Sequence, residues 1–350
     1  MPARLVQIYL PEDRVRDLET ILGRHTRRFW RETVPGAQEK YTCIVQQRYT
    51  ERLLADLDGA FGELPQFSAL VSGLQAVLPM VEETPVTELP LSADLPTPTR
   101  IERFFSRDRL STDELYDDIE ESLHPGPAYL LTVTLSAIIA GLGMRSGQTA
   151  VVIGAMIIAP LLGPTMGVAL AATVGNGKLG RQAAATLAIG CVLAVLAGVV
   201  LGMTVAIDPL VPELKNRALV QPADIALALA CGAAGVLAFS RGASLALVGV
   251  MIAVALVPPL TAAGIYTGVG IPEAGANALF LFTVNLVCVN VAGIAMFLIQ
   301  GLPPTSWRMT SGIMLVWVVL LILLMSMMAG RIFLGFGSWD LVMDYLTASR

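Results

Sequence analysis

The arrangement of apolar and polar positions changes character near Pro125. Before that point, short alternating and helical periods carry most of the acidic and basic residues; after it come long apolar runs divided by short polar breaks. Val6, Ile8 and Leu10 alternate, which predicts a strand over Arg4–Leu10. Val15, Leu18, Ile21 and Leu22 then recur at helical spacing. Phe29–Val34 and Tyr41–Val45 read as strands joined by a turn at Pro35-Gly36. Thr50 is placed to cap a helix whose apolar face is Leu53, Leu54, Leu57 and Phe61, and Phe67–Val71 is the expected last strand. Two β-α-β halves within residues 1–80 predict a small α+β domain of ferredoxin-like type. Two roles are open for it: a sensor or assembly module, or a domain that only packs to stabilise an oligomer. His25, beside Arg24, Arg27 and Arg28, predicts a solvated basic face rather than a ligand site.

Residues 81–127 change the pattern again. Pro79–Arg100, rich in Pro, Thr and Glu, reads as an extended linker. Ser111 to Glu114 forms a capping-box pattern that opens a helix ending at Leu123. Its acidic residues Asp113, Glu114, Asp117, Asp118, Glu120 and Glu121 raise a divalent-cation site as one possibility. No turn chemistry gathers them around one point, so a solvated juxtamembrane helix is the expectation.

Seven apolar segments follow: Ala128–Met144, Thr149–Val174, Gln182–Ile207, Ala223–Phe239, Ala243–Val269, Ala276–Ile299 and Met309–Gly330. Crossing a bilayer takes roughly 20 apolar residues, so the short first and fourth would lean on neighbours. The run Ser146–Leu170 returns at Arg241–Ile265 without a gap. Gly147, Gly154, Met156, Ile157, Leu161 and Pro164 fall on Gly242, Gly249, Met251, Ile252, Leu256 and Pro259, a constant offset (249 − 154 = 95). Residues 128–222 and 223–300 therefore read as two copies of one unit, with 301–350 a last helix and tail. Three spans per copy make the repeat inverted, the arrangement of many secondary transporters. Re-entrant hairpins at the duplicated motif would instead make it parallel.

The prolines bring in chemistry. Pro160 and Pro164 leave the carbonyls of Met156 and Pro160 without helical partners, and Pro258 and Pro259 do the same for Val254 and Ala255. Gly163 adds freedom in the first copy. Each copy is expected to carry a proline-broken segment, and the two breaks to meet in one site near the midplane. Thr149, Thr165, Ser244, Thr261, Asn285 and Asn290 are the polar groups singled out as candidates. Either they line a permeation path or they serve as interhelical hydrogen bonds. Gly154, Gly167, Gly190, Gly198, Gly249 and Gly293 are expected to let helices approach closely.

Composition narrows the classes. The residues are 55% hydrophobic and 15% charged, with mean hydropathy +0.67, too apolar for a soluble chain of 350 residues. The net charge of −5 comes mainly from the front section and gives no support to nucleic-acid binding. Cys43, Cys191, Cys231 and Cys288 have neither metal nor disulfide spacing, and no cofactor is implied. Asp224, second in the fourth segment, is the one Asp, Glu, Lys, Arg or His inside the seven segments as drawn, and a single carboxylate at a segment end argues against a proton relay and against an enzyme. The start MPARLVQIYLPEDRV lacks the apolar core of a signal peptide, so the N-terminus is expected in the cytosol. Basic residues at the span ends do not decide orientation; the acidic breaks Asp208, Glu213 and Glu273 favour that side as the outer one.

GQTAVVIGAMIIAPLLGP, the later LVGVMIAVALVPPL and NLVCVNVAGI together resemble the bacterial membrane family called domain of unknown function 389, over about Ser111–Ile299. The resemblance implies a polytopic inner-membrane protein and carries over no catalytic residue. Gly154, Pro160, Gly163, Pro164, Pro259, Asn285 and Asn290 occupy the motif positions. The combined expectation is a mostly α, polytopic membrane protein with a cytosolic front domain. Its partners would be the lipid bilayer, an ion or small solute, and further copies in a homo-oligomer. Transport or conduction is the leading function. A membrane-anchored sensor or scaffold, whose spans mainly oligomerise, is the alternative.

Overall fold

A computed structural model describes residues 3–26, 28–33, 38–74, 110, 112–243, 245–302 and 307–333. The turn at Pro35-Gly36, the linker Pro79–Arg100, Ser111, Ser244 and the tail beyond Phe333 lie outside the described residues, as do the side chains of Val254 and Ala255. The chain forms two compact units, Met1–Leu115 and Tyr116–Arg350.

In the first unit the alternating and helical periods produce β1 (Ala3–Pro11), α1 (Val15–His25), β2 (Phe29–Thr33), β3 (Gln38–Gln46), α2 (Gln47–Phe61) and β4 (Ser68–Leu74). The strands form one sheet in the order β2-β3-β1-β4, every pairing antiparallel. Val6, Ile8 and Leu10 of β1 and Tyr41, Cys43 and Val45 of β3 share a core with Leu18 and Leu22 of α1 and Leu53, Leu57 and Phe61 of α2. Each large apolar side chain buried there contributes about 1.5–3 kcal/mol. Burial pushes the Cys43 thiol up to about 12.

Two expectations fail in this unit. His25 is not on a solvated face: it is 6% exposed, with Nε2 2.7 Å from Asp56 Oδ2. Helical spacing explains it, because His25 follows Leu18 by seven and Leu22 by three and so shares their buried face. Thr50 is not the cap of α2. Strand β3 runs into α2 without a loop, so the helix begins at Gln47 and Thr50 is buried in its first turn.

The helical elements are α3 (Thr112–Ser122), α4 (Pro127–Arg145), α5 (Thr149–Ile158), α6 (Leu162–Val174), α7 (Gly177–Thr204), α8 (Pro212–Lys215), α9 (Pro222–Phe239), α10 (Leu245–Val269), α11 (Pro272–Ile299) and α12 (Trp307–Phe333). Among the described residues α4, α7, α9, α11 and Thr310–Met327 of α12 make 5 helices long and apolar enough to cross a membrane. The count is 6 if α5 and α6, bent by 57° at their junction, make one span. Local chemistry sets the helix limits. Pro127, Pro222 and Pro272 sit at helix starts, where a missing N–H costs nothing. Gly175 (φ 83°) and Gly270 (φ 92°) supply the left-handed residue that ends α6 and α10. Asn176 caps α7 by accepting from the amides of Lys178 and Leu179, so α7 starts ahead of the apolar run at Gln182.

Helix α10 packs against α4, α5, α6, α7, α9 and α11. Its tightest approach is to α7. A methyl placed on Gly264 would strike Val195 O and lie 2.8 Å from Gly198 Cα; one on Gly202 would lie 2.5 Å from Ile265 O. Backbone meets backbone there, the geometry that small residues permit between apolar helices. Gly154 departs from the expectation, with nothing within 4 Å of its Cβ position, while Gly249 has no described surroundings.

Hydrogen bonds define two ends of the bundle. At one, Asn176 Nδ2 donates to Tyr116 Oη, Thr186 Oγ1 to Leu123 O (2.7 Å) and Thr310 Oγ1 to Thr173 O (2.9 Å). At the other, Arg145 Nε donates to Ala206 O (3.0 Å), Thr149 Oγ1 to Glu213 Oε1 and Tyr266 Oη to Pro209 O (3.2 Å).

Candidate site at the broken span

The break between α5 and α6 follows from Pro160. Proline disfavours a helical residue before it, and Ala159 is extended at φ −67°, ψ 119°, so α5 stops at Ile158. Helix α6 resumes at Leu162, with Pro164 in its first turn, where no amide hydrogen is needed. Ser136 Oγ of α4 donates to Ala155 O at 2.7 Å and satisfies one carbonyl at the end of α5. Among the described residues the carbonyls of Met156, Ile157, Ile158 and Pro160 accept no hydrogen bond. Met156 and Pro160 were the expected pair; the early end of α5 adds Ile157 and Ile158. Met156 is buried and Pro160 half-buried, while Ile157 and Ile158 are exposed; a carbonyl buried without a donor costs about 1–3 kcal/mol. Backbone of this kind persists at membrane depth only where protein, water or an ion faces it.

The second copy differs. Pro258 and Pro259 lie inside α10, which continues unbroken from Leu245 to Val269. The expectation of a broken segment in each copy is therefore corrected. The reason is in the alignment: the residue matching the breaker Pro160 is Ala255, and only Pro164 has a proline counterpart, Pro259.

The break lies level with the middle of α7. A methyl on Gly190 would sit 2.5 Å from Tyr129 Oη and 2.7 Å from Leu161 Cδ2, and Gly190 is midway along Gly177–Thr204. Tyr129 Oη donates to Thr186 O at 3.0 Å.

The candidate polar groups do not gather at one point. Thr165 is fully buried and donates to Leu161 O (2.8 Å) across the junction. Asn290, also fully buried, spends Nδ2 on Leu286 O of its own helix (2.8 Å), and its Oδ1 has no partner among the described residues. Asn285 is 5% exposed on the same helix. Thr261 Oγ1 is buried without a partner among the described residues; its Cγ2 lies 3.5 Å from the Cβ position of Gly141 on α4, and its carbonyl abuts Gly198 on α7. Thr149 stands apart, exposed at the bundle end and bonded to Glu213. Gly163 and Pro164 are buried at the head of α6.

Ser136 and Arg217 were missed. Ser136 shares the Ala128–Met144 run with the hydroxyls of Tyr129, Thr132 and Thr134, so the sequence does not single it out. Arg217, in the connection between α7 and α9, has Nε buried without a partner. Burial pulls its guanidinium below the ordinary arginine value, opposed by Glu213 and Asp224. Among the described residues no three His, Cys, Asp or Glu side chains form a metal-ligating group.

The model of the family described as Domain of unknown function (DUF389) matches residues 156–291, from Met156 before the break to the turn of α11 beyond Asn290. The uncharacterized protein MJ0678 of Methanocaldococcus jannaschii is 33% identical over 222 residues, which span 61% of this chain and 69% of that protein. No solved structure matches the chain. By the match to that relative and to the family model over the broken span, the chain belongs to the family Domain of unknown function (DUF389), as a multi-pass helical membrane protein.

Proposed function

We propose that this protein is a transporter or channel for an ion or small solute, with its path along the broken span α5–α6 and the proline-bearing α10. One observation carries the reading. A helix in an apolar bundle breaks level with the middle of its neighbour and leaves the carbonyls of Met156, Ile157, Ile158 and Pro160 without donors. Acceptors of this type suit a weakly hydrated cation or a neutral solute with N–H or O–H groups.

The reading includes an inverted repeat, and three features support it. Helices α7 and α11 keep the offset at both limits (272 − 177 = 95; 299 − 204 = 95). Contacts follow it too: Gly198 meets Gly264, and the pair obtained by exchanging copies, Gly293 and Ala169, also meets, at 3.3 Å from the Cβ position of Gly293. Finally, α5 begins at the Glu213 end of the bundle and α6 finishes at the Tyr116 end, which favours a bent span over a re-entrant hairpin. Helical rise gives about 15 Å for α5 and, inclined by the bend, about 11 Å for α6, close to a hydrocarbon core once the junction is added.

The front unit fits the ferredoxin-like reading through its β-α-β-β-α-β order. We place it in the cytosol, with the chain in a bacterial inner membrane as a homo-oligomer, and assign no enzymatic step to the spans. The scaffold reading draws on one observation, the complete burial of Thr165, Thr261 and Asn290 within a single chain.

Flux decides between them. Full-length protein in sealed vesicles is expected to pass at least one member of a panel of monovalent cations and small neutral solutes, and Pro160→Ala to reduce that flux at least about tenfold. No flux above empty vesicles for any member would sink the transport reading.

A further inference from the structure

The last turns of α3 sit directly on the break. Ile119 and Leu123 are fully buried. A methyl on Gly167 of α6 would lie 3.2 Å from both Ile119 Cγ2 and Leu123 Cδ2. One on Gly163 would strike Ser122 Oγ and lie 2.5 Å from Ser122 Cβ, with Ser122 Cα at 3.8 Å. Two hydrogen bonds fix this seat, Asn176 Nδ2 to Tyr116 Oη and Thr186 Oγ1 to Leu123 O, while Ser122 Oγ donates within α3 to Ile119 O (2.6 Å). The outer face of the same turns carries the exposed Asp117, Asp118, Glu120 and Glu121, so the helix is amphipathic with its apolar side on α6.

We infer that the C-terminal half of α3 is a wedge that holds the broken span closed, and that its withdrawal opens the path. The inference rests on the transport reading and supplies its regulation. Gly163 is the second residue of α6, in the turn that adjoins the break, so it moves with α6 if the bend changes. A Cβ cannot be moved by rotating a side chain, so bulk at Gly163 displaces α3 itself unless Ser122 is cut back. With glycine at 122 the nearest α3 atom is the Cα, at ordinary contact distance.

The test uses the full chain in lipid vesicles, with the four native cysteines replaced by alanine and a Thr165→Cys reporter. Hydrogen exchange of residues 116–123 reports the wedge, and a membrane-impermeant thiol reagent reports water at the break. Gly163→Ala is expected to speed both about tenfold, Ser122→Gly added to it to restore both, and Gly154→Ala to change neither. Thr186→Val, which removes a tether without adding bulk, is expected to act like Gly163→Ala. Unchanged exchange in both loosening variants, or no rescue by Ser122→Gly, overturns the wedge. Faster exchange with Thr165→Cys still unreactive overturns the gate through the loss of the transport reading, while leaving α3 as a packing element.

Discussion

Gly264 and Gly154 make opposite predictions although both are glycines in apolar helices. At Gly264 a methyl meets rigid backbone of α7, so Gly264→Ala should destabilise the protein by about 1–3 kcal/mol, read from thermal unfolding in detergent. At Gly154 no atom of the described residues lies within 4 Å of the Cβ position, and Gly154→Ala should leave the midpoint unchanged or slightly raised. Ser136→Ala removes a donor from Ala155 O and adds one more unaccepted carbonyl at the break. A loss of about 0.6–2 kcal/mol in the same assay is expected, and no loss would mean that this contact is idle. Periodicity exposed such residues unevenly. Pro160 was legible as a breaker from its own chemistry. Ser136, Ser122 and Tyr129 act through partners many positions away, which no local pattern reveals. At His25 the charged sequence neighbours say less about exposure than its place on the face of Leu18 and Leu22.

Elements were more legible than their meetings. The four strands and seven apolar segments lie close to where alternation, helical spacing and Pro or Gly ends placed them, with shifts where a cap such as Asn176 lengthened a helix. Helix α10 stays unbroken despite Pro258 and Pro259 because the breaker Pro160 has only Ala255 as its counterpart there. Two measurements belong at this scale. Pro160→Ala restores an N–H in reach of Met156 O, so the bend should relax and amide exchange around residues 161–165 should slow; unchanged exchange would assign the break to packing instead. In the sheet, Arg31 on β2 donates twice to Glu39 on β3, at 2.8 and 2.7 Å, and holds that carboxylate below its usual range. Lys40 does the same for Glu32 at 2.6 Å, helped by Trp30. Both carboxylates titrate lower folded than unfolded. Their stabilisation is therefore complete above about pH 4.3 and fades as the pH falls through the folded values. Exchange of β3 amides in the full chain should rise on acidification below that point, and Glu39→Gln should flatten the rise; an identical acid response in the variant would remove the pair from the account.

At the scale of the whole molecule, the repeat we propose sets two related segments against each other while only one carries the break. That asymmetry makes α5–α6 the moving part in our account and α10 the support, since α10 packs against both halves of the broken span and meets α7 through bare backbone. The central claim is that water reaches this junction. The most direct measurement is the reaction of Thr165→Cys and Thr261→Cys with impermeant thiol reagents added separately to each side of lipid vesicles holding the full chain. Reaction at one or both positions from an aqueous side is the predicted result. Complete protection of both, from both sides, while a cysteine at exposed Thr149 still reacts, would contradict it and leave an anchored scaffold.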